Sequence, residues 1–491
     1  MVSAYAFGQG LWEMGFAAAV PFTVVVVSAM AVLLADLWLP PSQKRALPWL
    51  ALTGIALAAF AVASFWNEET SGFGGVVQLD RFSSFFAMVF LLGTGLVILL
   101  SSAYARKEGI ERGEYYALML FGTSGAMLMA SAVELITFFL GLEILSISLY
   151  VLNGFLRERP LSAEAAAKYF ILGAFASAFF LYGVALFYGA AGSTTYAGLR
   201  DAFGSAAFPY HRGLVALAAS AFVLIGLTFK LGVVPFHMWV PDAYEGAPTT
   251  VTAYMSLVSK AAAAAGFIRV FGASLASLQQ DTSVVLWVLA VATMTLGNVV
   301  AISQSNIKRM LAYSSIAHAG YLLVALTAAG EAGYSSVLFY LLSYVFMTAG
   351  AFGVVSLVRK GEGEALEISQ YSGLAGRHGL LAAAMAVFMV SLSGIPPTAG
   401  FFAKFYVFSA AVGAGHVGLA VIGVLNSLVS VYFYMRIVFL MYMREEEVPV
   451  QPSRSPAAWV ALAICVLGTV LLGVLPSSFA RLAAASIASL F

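Results

Sequence analysis

Phe229-Lys230-Leu231-Gly232-Val233-Val234-Pro235-Phe236-His237 interrupts an apolar run that begins near residue 213. Runs this long and apolar are membrane-spanning helices, yet this one holds a charge, a glycine and a proline close together. Proline has no N–H and crowds the carbonyl four residues back, here that of Leu231. Gly232 loosens the same turn. In hydrocarbon, freed backbone groups survive only where protein buries them or where they line a wet cavity. The stretch therefore predicts a broken helix inside a many-helix membrane protein.

The rest of the chain agrees. It has 491 residues, 62% hydrophobic and only 10% charged, against about 25% charged in soluble domains. The net charge of +1 comes with no basic tail, so nucleic acid is not an expected partner; the largest charge run is Glu445 to Glu447. Cys465 is the sole cysteine, so no intrachain disulfide, structural zinc or iron–sulfur cluster can form on this chain's own thiols. The first apolar run lacks the basic flank of a signal peptide and is read as a retained span.

Fourteen spans are predicted near 16–39, 46–65, 82–105, 115–131, 133–152, 164–190, 213–240, 248–271, 283–303, 310–329, 335–358, 379–413, 417–443 and 457–475. The fold class is thus an all-α integral membrane protein. Loops after odd-numbered spans hold fourteen Lys and Arg; loops after even-numbered spans and the C-terminal tail hold five. This bias places the odd loops in the cytoplasm and both termini outside.

A second broken span is predicted at Gly394-Ile395-Pro396-Pro397, offset by 162 from Gly232-Val233-Val234-Pro235. Leu142-Glu143-Ile144-Leu145-Ser146-Ile147 resembles Leu311-Ala312-Tyr313-Ser314-Ser315-Ile316 at an offset of 169. The similar offsets suggest two five-span repeats. A unit of five spans re-enters the membrane inverted, a recurring transporter plan with the ion site near the breaks. The chain then divides into a three-span bundle (1–113), two five-helix repeats (114–271 and 283–443) and a last span (457–491).

Pro396 and Pro397 free the carbonyls of Leu392 and Ser393, and Lys404 follows two turns on. Glu143 lies mid-span in the fifth helix. Lys260 lies mid-span in the eighth, about 18 Å from either end. Each buried charge costs at least about 2.5–3.5 kcal/mol unless paired or hydrated, so these side chains need a reason to be there. A packing kink or a structural ion pair is the bland alternative for each. Buried lysine suits proton transfer, since desolvation loosens its proton and a nearby carboxylate tightens it again. The expected order is a Glu143–Lys230 gate, Lys260 as relay and Lys404 as exit. His318 is a candidate bridge, and His237 a similar one. Glu134 and Lys168 lie nearer span ends, where snorkelling competes with function. The pattern Gly413-Ala414-Gly415-His416-Val417-Gly418 matches a dinucleotide fingerprint, but it joins two apolar spans instead of a strand and a helix, so it reads as a turn.

Four segments carry a family resemblance: Gly141 to Tyr150, Phe229 to Pro248, Asn306 to Tyr321, and Gly394 to Lys404. They resemble the antiporter-like membrane subunits of respiratory complex I, the proton-translocating NADH:quinone oxidoreductase, and its N-type group most closely. The resemblance implies proton transfer by Glu143, Lys230, Lys260 and Lys404, and adds Lys168 through a matching lysine in the sixth span. It implies no cofactor in this chain, with NADH, FMN, iron–sulfur clusters and quinone in partner subunits. The implied partners are M-type, K-type and J-type neighbours, the peripheral redox arm and the lipid of a bacterial plasma membrane. A multi-subunit sodium/proton antiporter shares the same core, and a non-pumping scaffold is the third alternative.

Overall fold

The computed structural model describes residues 16–204, 210–361, 363–445, 450–453 and 455–491. Glu446, Glu447 and Arg454 lie outside the described residues.

Long apolar helices dominate: α1 (Val20–Trp38), α2 (Leu47–Ser64), α3 (Arg81–Lys107), α4 (Gly113–Ser131), α5 (Leu135–Asn153), α6 (Pro160–Ala191), α7 (Tyr210–Leu231), α8 (Thr249–Ser274), α9 (Gln279–Ile302), α10 (Ile307–Ala328), α11 (Gly330–Leu357), α12 (Gly379–Ser393), α13 (Val417–Met443) and α14 (Pro456–Val474). Twelve stretches among the described residues are long and apolar enough to cross a membrane. The predicted fourth and twelfth spans are not among them, for different reasons. α4 is a full-length helix, but Ser, Thr and Gly make it less apolar, and it is buried among its neighbours. The twelfth is cut into α12 and a second limb, Ala399–Gly413. α7 likewise continues as a second limb, Trp239–Gly246.

Local chemistry sets several helix ends. Asp80 caps α3, accepting from Ser83 N–H at 2.6 Å in a reciprocal capping box. Asn306 caps α10 through the N–H groups of Lys308 and Arg309. Gly192 closes α6 in the left-handed region.

Both breaks have one construction. Gly232 N–H donates to the Phe229 carbonyl and Val233 N–H to that of Thr228. Gly394 N–H donates to Ser391 and Ile395 N–H to Val390. Each is a Schellman closure with glycine at positive φ, +76° and +87°. This corrects the sequence argument in one respect. Glycine stops each helix, and the prolines that follow keep it from resuming; Val234–Pro235 and Pro396–Pro397 are cis peptides.

α8 is wholly buried and forms the axis, with α10 and α11 nearly as enclosed. α1, α6, α9 and α13 lie at the periphery and turn side chains such as Met30, Phe175, Val288 and Leu428 outward, as a hydrocarbon surround requires. The loops sort by parity. Odd loops meet at one end: Glu108 accepts from Arg159 and Arg359, Asn306 bridges Glu367, and β3 (Val358–Lys360) pairs with both β4 (Gly363–Glu364) and β5 (Gln451–Pro452). Even loops meet at the other end. Val77, in the hairpin of β1 (Thr70–Gly72) and β2 (Val77–Leu79), bridges Ala132, Glu134 bridges Thr195, and Arg269 reaches Asp80.

Candidate functional site

The C-terminal carbonyls of a helix have no intrahelical partner and carry the negative end of its dipole. At the α7 break, three successive carbonyls are taken by side chains. Trp239 Nε1 donates to Phe229 (3.0 Å), Ser259 Oγ to Lys230 (3.5 Å), and Lys260 Nζ to Leu231 (2.6 Å). At the α12 break, Lys404 Nζ donates to Leu392 (3.1 Å), Ser393 (2.9 Å) and Ser427 Oγ (2.8 Å). The carbonyls that sequence reasoning singled out are the ones that the lysines hold. An ammonium on a helix C-terminus gains up to about 2 kcal/mol in a partly buried setting, which offsets much of its burial cost.

The two breaks use their lysines differently. Lys404 folds back onto the break from its own second limb. At α7 the lysine comes from the next helix, because a π-helical turn at Met255–Ser259 directly precedes Lys260 and sets its direction. Lys230, beside the break in sequence, points away from it. Its Nζ donates to Ser146 Oγ (2.8 Å) and Tyr169 OH (3.3 Å). The Tyr169 ring stacks on Trp239 with centroids 4.2 Å apart, so the second limb of α7 also positions the Lys230 partner.

Glu143 is not in ion-pair contact with Lys230. Its Oε1 is buried without a hydrogen-bond partner. Ser146, one turn along α5, takes the contact expected of Glu143. A cavity of about 10 Å³ beside Lys230 and Ser146 has room for one water at most.

His318, the candidate bridge, contacts two tyrosines and neither lysine. It is buried in α10, with Nδ1 against Tyr340 OH and Nε2 against Tyr434 OH at 3.1 Å, and Tyr434 also bonds Ser314. Toward Lys260, Tyr344 OH links Ser256 (2.9 Å) to Ser315 (3.0 Å). Toward Lys404, the Tyr321 ring lies under the ammonium at 4.9 Å, and its OH accepts from Asn298. A row of polar groups thus runs from α5 through α7, α8 and α10 to the second limb of α12.

Lys168 does not join the row. It is 45% exposed and pairs with Glu164 and Asp242, each at 2.7 Å. Asp242 also binds Arg309 (2.8 Å), which binds Glu245 (2.7 Å). This network ties the second limb of α7 to α6 and α10. His237 also stands apart, with Nδ1 lacking a hydrogen-bond partner. Sequence reading missed the tyrosines around His318 and the buried pair Asp80–Arg269. Arg269 donates to both Asp80 oxygens (2.9 and 2.7 Å) and to the Ala130 carbonyl (2.6 Å). Tyr321, one turn beyond His318, was legible from spacing; the others come from distant helices.

A bundle of long apolar helices, two of them broken, with buried lysines on the broken ends, is the fold of an antiporter-like membrane subunit. Residues 132–430 match the family model described as NADH:quinone oxidoreductase/Mrp antiporter, TM, and the chain belongs to that family. Within it, the chain groups with subunit N of NADH-quinone oxidoreductase. It is 47% identical over 466 residues to that subunit from Trichlorobacter lovleyi, covering 94% of this chain and 95% of the relative. It is 46% identical over 466 residues to subunit N 2 from Rhizobium meliloti, covering 95% and 96%. Among solved structures, a chain of respiratory complex I from Thermus thermophilus with bound aureothin matches with a TM-score of 0.80 and 35% identity, covering 94% of this chain and 99% of that one. A chain of the Mrp complex from Dietzia shares the fold, with a TM-score of 0.79 and 24% identity, over 97% of each chain.

Proposed function

We propose that this chain carries protons across a bacterial plasma membrane as the N-type subunit of a NADH:quinone oxidoreductase, along Glu143, Lys230, Lys260, His318 and Lys404. The observation that carries the reading is the seating of Lys260 and Lys404 on the C-terminal carbonyls of two broken helices, with hydroxyl and imidazole groups between them. A helix end stabilises an ammonium without a full counter-charge, so the site can hold a proton and still release it. Glu143 acts from a distance. Its approach to Lys230 or its withdrawal changes how tightly that lysine keeps its proton. Moving one charge against 100 mV costs about 2.3 kcal/mol, and the dry surroundings of Lys230 limit back-leak.

Electron transfer belongs to partner subunits, which would supply NADH, FMN, iron–sulfur and quinone chemistry. The neighbours would be M-type, K-type and J-type membrane subunits and the peripheral arm. Residues 114–271 and 283–443 would be the inverted repeats. Their support is the common closure of the breaks, and the start of α4 and α9 at opposite ends of the bundle. Both termini would face outside. Subunit N relatives favour this over the sodium/proton antiporter, whose likeness is one of fold.

The test is NADH-driven proton uptake in membrane vesicles. Lys230→Ala and Glu143→Ala are expected to lower proton yield per electron while the complex assembles. Full pumping in both would refute the path and favour a scaffold.

A further inference from the structure

Lys308 stands in the first turn of α10 at the odd-loop end, where a lysine is expected to reach solvent. It is instead 1% exposed. Its Nζ donates to the carbonyls of Glu245 (2.9 Å) and Ala247 (2.5 Å), at the C-terminal end of the second limb of α7. Thr252 Oγ1 donates to the Tyr244 and Pro248 carbonyls of the same end (2.9 and 3.3 Å). This is the construction found at the two breaks, an ammonium on helix C-terminal carbonyls with a hydroxyl beside it. Each limb of α7 thus ends on a buried lysine, Lys260 for the first and Lys308 for the second.

Buried hydroxyls join the two seats. Thr252, Ser256 and Lys260 share one face of α8 at four-residue spacing. On α10, Ser315 lies two turns in from Lys308, about 10 Å along the axis. Tyr244 OH, from the last turn of the second limb, lies 3.3 Å from Ser315 Oγ. Ser315 Oγ lies 3.4 Å from Ser256 Oγ, and Tyr344 OH bonds both. Thr252, Tyr244, Ser315, Ser256 and Tyr344 are all buried. On the other side of Lys308, the Glu245 carboxylate is half-buried and accepts from Arg309 and Asn306. The residue whose carbonyl seats Lys308 therefore also reaches the odd-loop surface. A clip that only pinned the helix end would explain the carbonyl contacts. It would not explain the hydroxyls that lead inward from them, since apolar side chains fill such an interval without polar groups to satisfy.

We propose that Lys308 is a further proton-holding site, which feeds the row from the odd-loop end through Thr252 and the Tyr244, Ser315 and Ser256 hydroxyls. The inference rests on the proton path proposed above, in which that end is cytoplasmic. A proton leaves the Lys308 ammonium, and each hydroxyl passes on its own proton as it takes the incoming one. Lys260, as the neutral amine, gains the N–H, and water at the odd-loop end refills Lys308. The row then takes in protons at Lys260, in its middle, and not only from the Glu143 end.

The test compares proton yield per electron in vesicles that hold the assembled complex. Lys308→Arg keeps a cation and donors for both carbonyls, but a guanidinium does not give up its proton in a protein. It should assemble at wild-type levels and lose as much proton yield as Lys260→Met, and the double variant should lose no more than either. Arginine would rescue a structural clip, so wild-type yield in Lys308→Arg overturns the intake. Tyr244→Phe removes one hydroxyl and keeps the ring; it should also assemble and lose yield, and it decides the question if Lys308→Arg does not assemble. Wild-type yield in Tyr244→Phe, or additive losses in the double variant, would likewise overturn the intake while a loss in Lys260→Met leaves the row standing. Wild-type yield in Lys260→Met would bring down the row itself, and the intake with it.

Discussion

Replacing Lys260 with methionine separates a proton relay from a structural cation. The side chain loses its charge and only one heavy atom of its length. The Leu231 carbonyl loses a 2.6 Å partner, and leaving a buried acceptor unsatisfied costs about 1–3 kcal/mol. Against this, the chain no longer buries an ammonium, a saving of at least about 2.5–3.5 kcal/mol. The two nearly cancel, so Lys260→Met should assemble at wild-type levels. Function should not cancel. Without a base between Lys230 and the Ser256–Tyr344–Ser315 hydroxyls, a proton crosses this step as an unstabilised buried charge. An added barrier of about 2.5–3.5 kcal/mol slows the step by roughly 70- to 400-fold. In the whole complex this appears as fewer protons per electron, read as a dye-reported pH gradient against NADH oxidation in the same vesicles. Wild-type proton yield from assembled Lys260→Met complex would refute the relay. Loss of assembly would instead show that the ammonium is structural.

Three further outcomes follow from the same geometry. Lys168→Ala removes an exposed side chain outside the row, so proton yield should match wild type; a loss as deep as that of Lys260→Met would return Lys168 to the path. Arg269→Met strands the Asp80 carboxylate and should destabilise the chain by about 3–5 kcal/mol, seen as less assembled complex on native gels. Adding Asp80→Leu should restore all but the α3 cap, worth about 0.5–2 kcal/mol. Gly232→Ala and Gly394→Ala force a Cβ into positive φ, at about 1–2 kcal/mol each. They also crowd Val240 at 2.8 Å and Lys404 at 2.9 Å. Both should lower the melting temperature of the complex, and unchanged melting would refute the Schellman closure.

The membrane class, most span positions and both breaks were legible in the sequence, because length, apolarity and Gly/Pro placement act locally. The fourth helix was legible as well, although a hydropathy threshold alone passes over it. Loop parity came from counting Lys and Arg, and the ion pairs at the odd end join the same loops. The charged residues of the row were also legible as buried charges, since charges deep in apolar runs are costly wherever the helices go; its serines and tyrosines were not.

Side-chain partners were not legible. Lys230 lies beside the α7 break in sequence, yet Lys260 holds its freed Leu231 carbonyl, and no residue pattern announces the π-helical turn that precedes Lys260. Glu143 was matched to Lys230 by charge, but helix rotation gives the contact to Ser146. Lys168 stood in an apolar span, and only packing showed that it reaches Asp242 at the exposed end of the second limb. The broken helix quoted at the outset was readable as a break from Gly232 and Pro235 alone. Which ammonium would occupy its freed carbonyls depended on the packing of α8 against α7, a long-range contact that local sequence does not encode.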